Sequence, residues 1–374
     1  MREVLAERLL ASVMQWSPED DAKERPRLQA MAAYKYDGYQ QFSPGMRYVE
    51  SLASWLNQFA ENDRRVLFDF IQSRLVFISD SEMRHLVSIS FPDLIRPKLI
   101  HLAAVSSGIP ELYVSKIMAS VEYRVELRRS LFLGLSDGAK MDHFRRCNPD
   151  IRHEQVFQTY DIPETKLDDI QIRLERDIRS ILGRNLTSAE GRFHSLFLMD
   201  DFSGSGTSYW RSVADGEDVD GKVARVMKLI DDENGILHSL LDLPSVNVCI
   251  VLYVATEQAL ERIRRNLSSW LLDRKRNLEF SVHAVQTVSD SVRIDPTRDK
   301  RIVDILERYF DDSILDDSYR LGRIEKPYLG FDQCGLPLVL FHNTPNNSIP
   351  LLWFDDNKKW RGLFPRVSRH RRRL

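Results

Sequence analysis

Two adjacent carboxylates, Asp200 and Asp201, precede a run of small residues that could bind an anion. The run consists of Ser203, Gly204, Ser205, Gly206, Thr207 and Ser208. Glycines let the backbone approach an anion closely, hydroxyls add hydrogen-bond donors, and the amides of a helix that starts after such a loop also point at the anion. The pattern therefore predicts a sugar-phosphate site, with the phosphate in the loop and the sugar hydroxyls on the two carboxylates.

The residues before the carboxylates must position them. Residues 196–199 are four apolar side chains in a row, which is typical of a strand buried on both faces of a parallel sheet. Sheets of this kind bind ligands at the carboxyl ends of their strands, where Asp200 and Asp201 would lie. The alternative interpretation is purely structural: a strand, a turn and a helix whose first turn is capped by an acidic pair.

Segment 196–208 resembles the phosphoribosyl-diphosphate signature of type I phosphoribosyltransferases, which combines an apolar strand, two acidic residues and a short loop of Thr, Ser and Gly. The resemblance implies that Asp200 and Asp201 are catalytic residues that contact the ribose hydroxyls. It also implies that loop 203–208 binds the 5′-phosphate. Mg²⁺ is the implied cofactor, bridging ribose hydroxyls and pyrophosphate, with Asp200 and Asp201 as its possible protein ligands.

A second loop precedes this signature by one predicted strand. Residues 131–135 predict a short buried strand, and a tight turn follows it, made of Ser136, Asp137, Gly138 and Ala139. Type I phosphoribosyltransferases have their pyrophosphate loop at this place, so the resemblance implies that role here; an ordinary Asp-Gly turn is the alternative. The polar stretch 148–166 stands where the family has a mobile flap, and an ordinary loop is again the alternative.

The rest of the chain predicts an α/β fold with a mostly parallel sheet of phosphoribosyltransferase type and an α-helical N-terminal extension. Strands expected at 246–254 and 280–285 alternate with helices at 167–183 and 257–272. The predicted division is a helical region over 1–127, an α/β domain over 128–365 and a basic tail over 366–374.

Composition and charge limit the partners and the cellular location that the sequence predicts. The formal net charge of −2 gives no global attraction to nucleic acid or membranes, and no apolar run is long enough to span a bilayer. Three distant cysteines predict neither disulfides nor a zinc site, which favours a cytoplasmic location. The tail could contact nucleic acid or an acidic partner through Arg366, Arg369, Arg371, Arg372 and Arg373.

The order of segments 132–139, 200–208 and 343–347 resembles phosphoribosyltransferase-like proteins of bacterial conflict and anti-phage systems. This resemblance implies an effector that transfers or hydrolyses a group at ribose C1, with protein partners in a defence system. A catalytically inactive nucleotide-binding sensor or assembly module is the alternative. Segment 343–347 itself is interpreted either as a structural turn or as a base- or acceptor-binding edge near the carboxyl end of the sheet.

Overall fold

The computed structural model describes residues 3–213, 218–274, 278–317, 319–355 and 358–366. Its strands are β1 (Val76–Ile78), β2 (Ser130–Gly134), β3 (Val156–Phe157), β4 (Ser195–Ser203), β5 (Arg211–Val213), β6 (Asp218–Asp220), β7 (Asn247–Thr256), β8 (Glu279–Val288) and β9 (Leu338–Leu340). Its helices are α1 (Glu3–Met14), α2 (Pro18–Tyr34), α3 (Tyr48–Asn57), α4 (Glu61–Arg74), α5 (Asp80–Ser90), α6 (Arg96–Ser107), α7 (Val114–Met118), α8 (Val121–Arg128), α9 (Met141–Cys147), α10 (Leu167–Leu182), α11 (Lys222–Asp231), α12 (Ile236–Leu240), α13 (Glu257–Asp273), α14 (Lys300–Arg308) and α15 (Pro350–Trp353).

The chain groups into two compact units. One comprises Met1–Glu82 and Ser289–Leu374, and the other comprises Met83–Val288. The sequence-based boundary after residue 127 does not coincide with this grouping. The reason is that α6 packs against α8, and α8 leads directly into β2, so these helices belong with the sheet.

The second unit contains a five-stranded parallel sheet in the order β3-β2-β4-β7-β8. This confirms the predicted fold class, a mostly parallel α/β sheet with helices before it. The acidic pair lies near the end of β4, the central strand. Strand β3 falls inside the polar stretch 148–166.

Both faces of this sheet are covered, which explains the apolar run before the carboxylates. On one face, Leu196 and Leu198 belong to a core cluster that includes Ile170, Leu174 and Ile178 of α10. On the other face, the rings of Phe132 and Phe197 stack with centroids 5.0 Å apart. Residues 196–199 therefore have no solvent-facing side and alternate between two apolar environments.

The expected helix directly after loop 203–208 is wrong. The chain instead makes a turn at 207–209, enters the antiparallel strands β5 and β6, and only then begins α11. The backbone N–H groups of Lys222 and Val223 donate to the carbonyls of Ser208 and Tyr209, at 3.0 and 3.1 Å. The first turn of α11 thus stacks on the loop turn, and the strand pair is an insertion between them.

The first unit has a small parallel sheet of its own, β1 with β9. Segment 343–347 follows β9 and so belongs to the first unit, and a base- or acceptor-binding role for it stays a prediction. The buried hydroxyl of Thr344 lies 3.1 Å from the Tyr39 hydroxyl and donates to the carbonyl of Phe364 at 3.0 Å. These contacts are those of a structural turn that joins distant parts of the unit.

Only the start of the predicted basic tail is described. The amide of Arg366 donates to the carbonyl of Trp353 at 3.0 Å, and its guanidinium lies 5.8 Å from the centroid of that ring. Arg366 is therefore part of the folded first unit. Arg369, Arg371, Arg372 and Arg373 lie outside the described residues. Within the described ranges, no helix has the length and apolar character needed to cross a membrane.

Candidate functional site

The two predicted loops lie side by side because β2 and β4 are neighbours in the sheet. Gly134 is in register with Met199, and the amide of Leu135 donates to the Met199 carbonyl at 2.8 Å. The chain then leaves both strands at the same edge, so that the Ser136 hydroxyl donates to the Asp200 carboxylate. The tertiary structure thus brings together the turn 136–139 and the acidic pair.

Asp200 is fully buried and serves as a junction between three segments. Its carboxylate accepts hydrogen bonds from Ser136, from the Tyr209 hydroxyl at 2.6 Å and from the Lys222 ammonium. Burial raises the pKa of Asp200, the neighbouring Asp201 raises it further, and Lys222 and Ser136 oppose the rise. Both carboxylate oxygens are therefore occupied by donors from the protein itself.

Asp201 has a different environment. It is half-buried, and its Oδ1 accepts from the Phe202 amide at 2.8 Å. Its carboxylate lies directly against Gly138, where an added Cβ would stand 2.1 Å from Oδ2. A side chain in place of Gly138 would therefore displace the Asp201 carboxylate from this position. Of the two acids, Asp201 is the one placed at the rim between the loops.

Loop 203–208 packs against the start of α13. The hydroxyl of Thr256, the N-cap residue of that helix, donates to the Gly204 carbonyl at 2.6 Å. Gly206 has φ +79°, and an added Cβ would meet the Ala259 carbonyl oxygen at 3.0 Å. The loop is mostly buried, with Ser208 as its exposed member. Its shape is thus set by the helix of the next βα unit.

The side-chain hydroxyls of loop 203–208 differ in their hydrogen bonding. Ser205 Oγ accepts from the Thr207 amide at 3.3 Å, and Thr207 Oγ1 accepts from the Arg262 guanidinium. The Ser203 hydroxyl is buried, yet among the described residues it has no hydrogen-bond partner. A buried polar group without a partner is a position where a ligand or a water can supply one.

The turn 136–139 is held from the opposite side by a tyrosine. The hydroxyl of Tyr253, on β7, donates to the Ala139 carbonyl at 2.6 Å. Burial raises the pKa of Tyr253 well above its ordinary range, and the charges of Asp200 and Asp201 raise it further. The phenol therefore stays protonated and acts as a fixed donor that braces this loop.

Sequence reasoning missed four residues of this region: Tyr209, Lys222, Tyr253 and Arg262. Tyr209 directly follows the loop and could have been included by extending the motif by one residue. The other three lie far along the chain, and no local pattern marks them. They reach the loops because α11, β7 and α13 surround the end of β4.

The stretch 148–166 is partly anchored in the fold. Its strand β3 pairs with β2, and Ile162 is buried in the core. The Tyr160 hydroxyl pairs with the Arg225 guanidinium of α11. A closing movement of this stretch over the site stays a prediction.

Among the described residues, no group of three or more His, Cys, Asp or Glu side chains could hold a metal by itself. Mg²⁺ usually keeps several waters and takes one or two carboxylates together with substrate oxygens. The donor set fits that pattern through Asp201. It does not favour Asp200 as a ligand, because its oxygens accept from Ser136, Tyr209 and Lys222.

The five-stranded parallel sheet has an acidic pair near the end of its central strand. One loop follows this strand, and another follows the neighbouring strand. These features define a phosphoribosyltransferase-type α/β protein. The family model described as PRTase-CE matches residues 52–366, which is most of the chain. The protein therefore belongs to the PRTase-CE family. No curated protein and no solved structure matches it.

Proposed function

We propose that the protein binds phosphoribosyl diphosphate or a related sugar phosphate together with Mg²⁺, and transfers or hydrolyses the phosphoribosyl group at C1. The observation that carries this proposal is the contact of turn 136–139 with the acidic pair that precedes loop 203–208. Ser136 bonds to Asp200, and Gly138 leaves space for Asp201. A ligand with a phosphate at one end and a pyrophosphate at the other would span both loops with its sugar at Asp201.

The proposal gives the two acids different roles. Asp201, which is half-buried, would accept hydrogen bonds from ribose hydroxyls. Asp200 is a positioning residue, since its oxygens hold the neighbouring loop and α11 instead. Loop 203–208 would hold the 5′-phosphate, and the turn 136–139 the pyrophosphate.

In the reaction, the bond between C1 and the pyrophosphate oxygen breaks, and its electron pair leaves with the pyrophosphate. The sugar becomes cation-like at C1, and the fixed negative charge of Asp201 stabilises it. A nucleophilic oxygen or nitrogen, from an acceptor or from water, then forms the new bond at C1 and releases its proton to solvent. Mg²⁺, when bound, offsets the negative charge that the leaving pyrophosphate carries.

Binding and turnover are tested with the full chain and phosphoribosyl diphosphate. Calorimetry is expected to detect binding with Mg²⁺ and a loss of affinity after EDTA treatment, because bare pyrophosphate is repelled by Asp201. Pyrophosphate release would then be followed with a panel of nucleobases and nucleotides as acceptors. Release identifies an enzyme, and the compound that stimulates it identifies the acceptor.

Two other outcomes of this experiment contradict parts of the proposal. Binding without release under every condition would reject turnover and identify a ligand sensor or assembly module. Absence of binding to phosphoribosyl diphosphate, ribose 5-phosphate and pyrophosphate alike would reject the sugar-phosphate site altogether.

We further propose that the protein acts as an effector of bacterial defence against phages. The support is the order of its segments, which resembles proteins of such systems. A bacterial host that carries the wild-type gene is expected to give fewer phage plaques than the same host with Asp201→Asn. Equal plaque numbers, with both proteins present at equal levels, would reject the defence role and leave the sugar-phosphate site unaffected.

A further inference from the structure

Loop 203–208 does not run directly into a helix, as phosphate-binding loops commonly do. Where a loop runs directly into a helix, the free amides and the positive end of the helix dipole hold the anion. Here the strands β5 and β6 intervene, and the first amides of α11 donate to the carbonyls of Ser208 and Tyr209. Because these amides of α11 are occupied, a side chain close to loop 203–208 would contribute to balancing the charge of a bound phosphate.

Arg262 is positioned to balance it. The residue lies in the second turn of α13, and its guanidinium donates to the Thr207 hydroxyl within the loop. An added Cβ on Gly206 would lie 3.3 Å from the Arg262 Cβ, so the arginine and the loop backbone are in close approach. The bond from Thr256 to the Gly204 carbonyl, 2.6 Å long, fixes the start of α13 against the same loop.

The chemistry of the loop complements a guanidinium. Loop 203–208 itself contains no cationic residue. A guanidinium carries five N–H donors in a planar fork whose geometry matches phosphate oxygens. The buried Ser203 hydroxyl, which has no partner among the described residues, is a further donor at the start of the loop.

We propose that Arg262 binds the phosphate monoester of the sugar phosphate and thereby selects phosphorylated sugars over unphosphorylated ones. This inference rests on the proposed function, since it assigns a further residue to the same site. Arg262 is a binding residue in this proposal and takes no part in bond breaking at C1. Its partner in the loop, Thr207, holds the guanidinium in the orientation that faces the monoester.

The test compares Arg262→Gln and Arg262→Lys with the matched control Arg265→Gln, an exposed arginine of the same helix. The probes are phosphoribosyl diphosphate with Mg²⁺, ribose 5-phosphate, and pyrophosphate with Mg²⁺, each measured by calorimetry. Arg262→Gln is expected to weaken the first two ligands by about 10- to 100-fold, because a charged hydrogen bond is lost. Pyrophosphate affinity should stay unchanged, Arg262→Lys should lie between, and Arg265→Gln should match the wild type.

Three results would overturn the inference, and they separate it from the proposed function. Equal affinity of Arg262→Gln and the wild type for ribose 5-phosphate would exclude Arg262 while leaving the site intact. Loss of pyrophosphate binding in Arg262→Gln would assign the arginine to the other end of the ligand. Failure of the wild-type protein to bind any of the three probes would remove both the proposed function and the inference. Urea unfolding of each variant checks that the fold is retained.

Discussion

Replacing Asp200 with alanine is expected to lower the free energy of unfolding by about 3 kcal/mol, because it leaves a buried charge pair without its anion. Asp200 is fully buried, whereas the Lys222 side chain that it pairs with is 27% exposed. Because Lys222 is partly exposed, water can solvate its ammonium after Asp200 is removed. We therefore expect a loss of stability at the lower end of the range for broken buried ion pairs. Ser136 loses its acceptor at the same time.

Urea unfolding of the full chain measures this loss. The matched control is Asp218→Ala, which removes a carboxylate from an exposed ion pair with Lys228 and should cost far less. Lys222→Met and the double variant complete a double-mutant cycle, in which the double variant should be less destabilised than the sum of the single ones. If Asp200→Ala lowers the free energy of unfolding by less than about 1 kcal/mol, the loss is well short of that for a broken buried ion pair. That result would contradict the role of Asp200 as a junction.

The second large effect is expected for Asp201→Asn, which should reduce the affinity for phosphoribosyl diphosphate with Mg²⁺ by about 10- to 100-fold. The change removes a negative charge at the rim between the loops but keeps the shape of the side chain. Because Asp201 is only half-buried, we expect the free energy of unfolding to stay within about 0.5 kcal/mol of the wild type. We therefore expect substitution of Asp201 to weaken ligand binding and substitution of Asp200 to lower the free energy of unfolding.

Calorimetry with phosphoribosyl diphosphate and Mg²⁺ measures the loss, and pyrophosphate release provides a second readout. Asp273→Asn, a change of the same charge at the exposed end of α13, is the matched control and should bind as the wild type does. Unchanged affinity in Asp201→Asn would reject Asp201 as the residue that contacts the ribose. A large loss of stability in this variant would instead place Asp201 in the same structural role as Asp200.

The local pattern of the chain was enough to predict the centre of the fold. Residues 196–199 have apolar side chains at every position, and only a strand buried on both faces accommodates that. Strands β7 and β8 and helix α13 follow from similar runs of local periodicity, and the predicted parallel sheet agrees with the observed one. The proximity of 136–139 to the acidic pair was implied only by the family resemblance, because no local pattern shows that β2 and β4 are neighbours.

Other features depend on contacts between residues far apart in the chain. Strand β9 pairs with β1, more than 250 residues earlier, and no local pattern indicates which strands will meet. Although Pro92 and Pro97 lack amide donors, α5 and α6 are joined by a single π-helical turn over Phe91–Ile95. That turn accommodates the missing amide donors without ending the helix.

By itself, the sequence predicted that two carboxylates follow the apolar run of a buried parallel strand and precede a loop of small residues. That much depends only on side-chain polarity and spacing. The tertiary structure alone decided that Asp200 is buried against Lys222 and Tyr209 while Asp201 stays at the rim. It also decided that Arg262 of α13 donates to Thr207 in loop 203–208. The reason is physical: burial and ion pairing of a side chain are set by the neighbours that folding brings to it, and these neighbours come from distant segments.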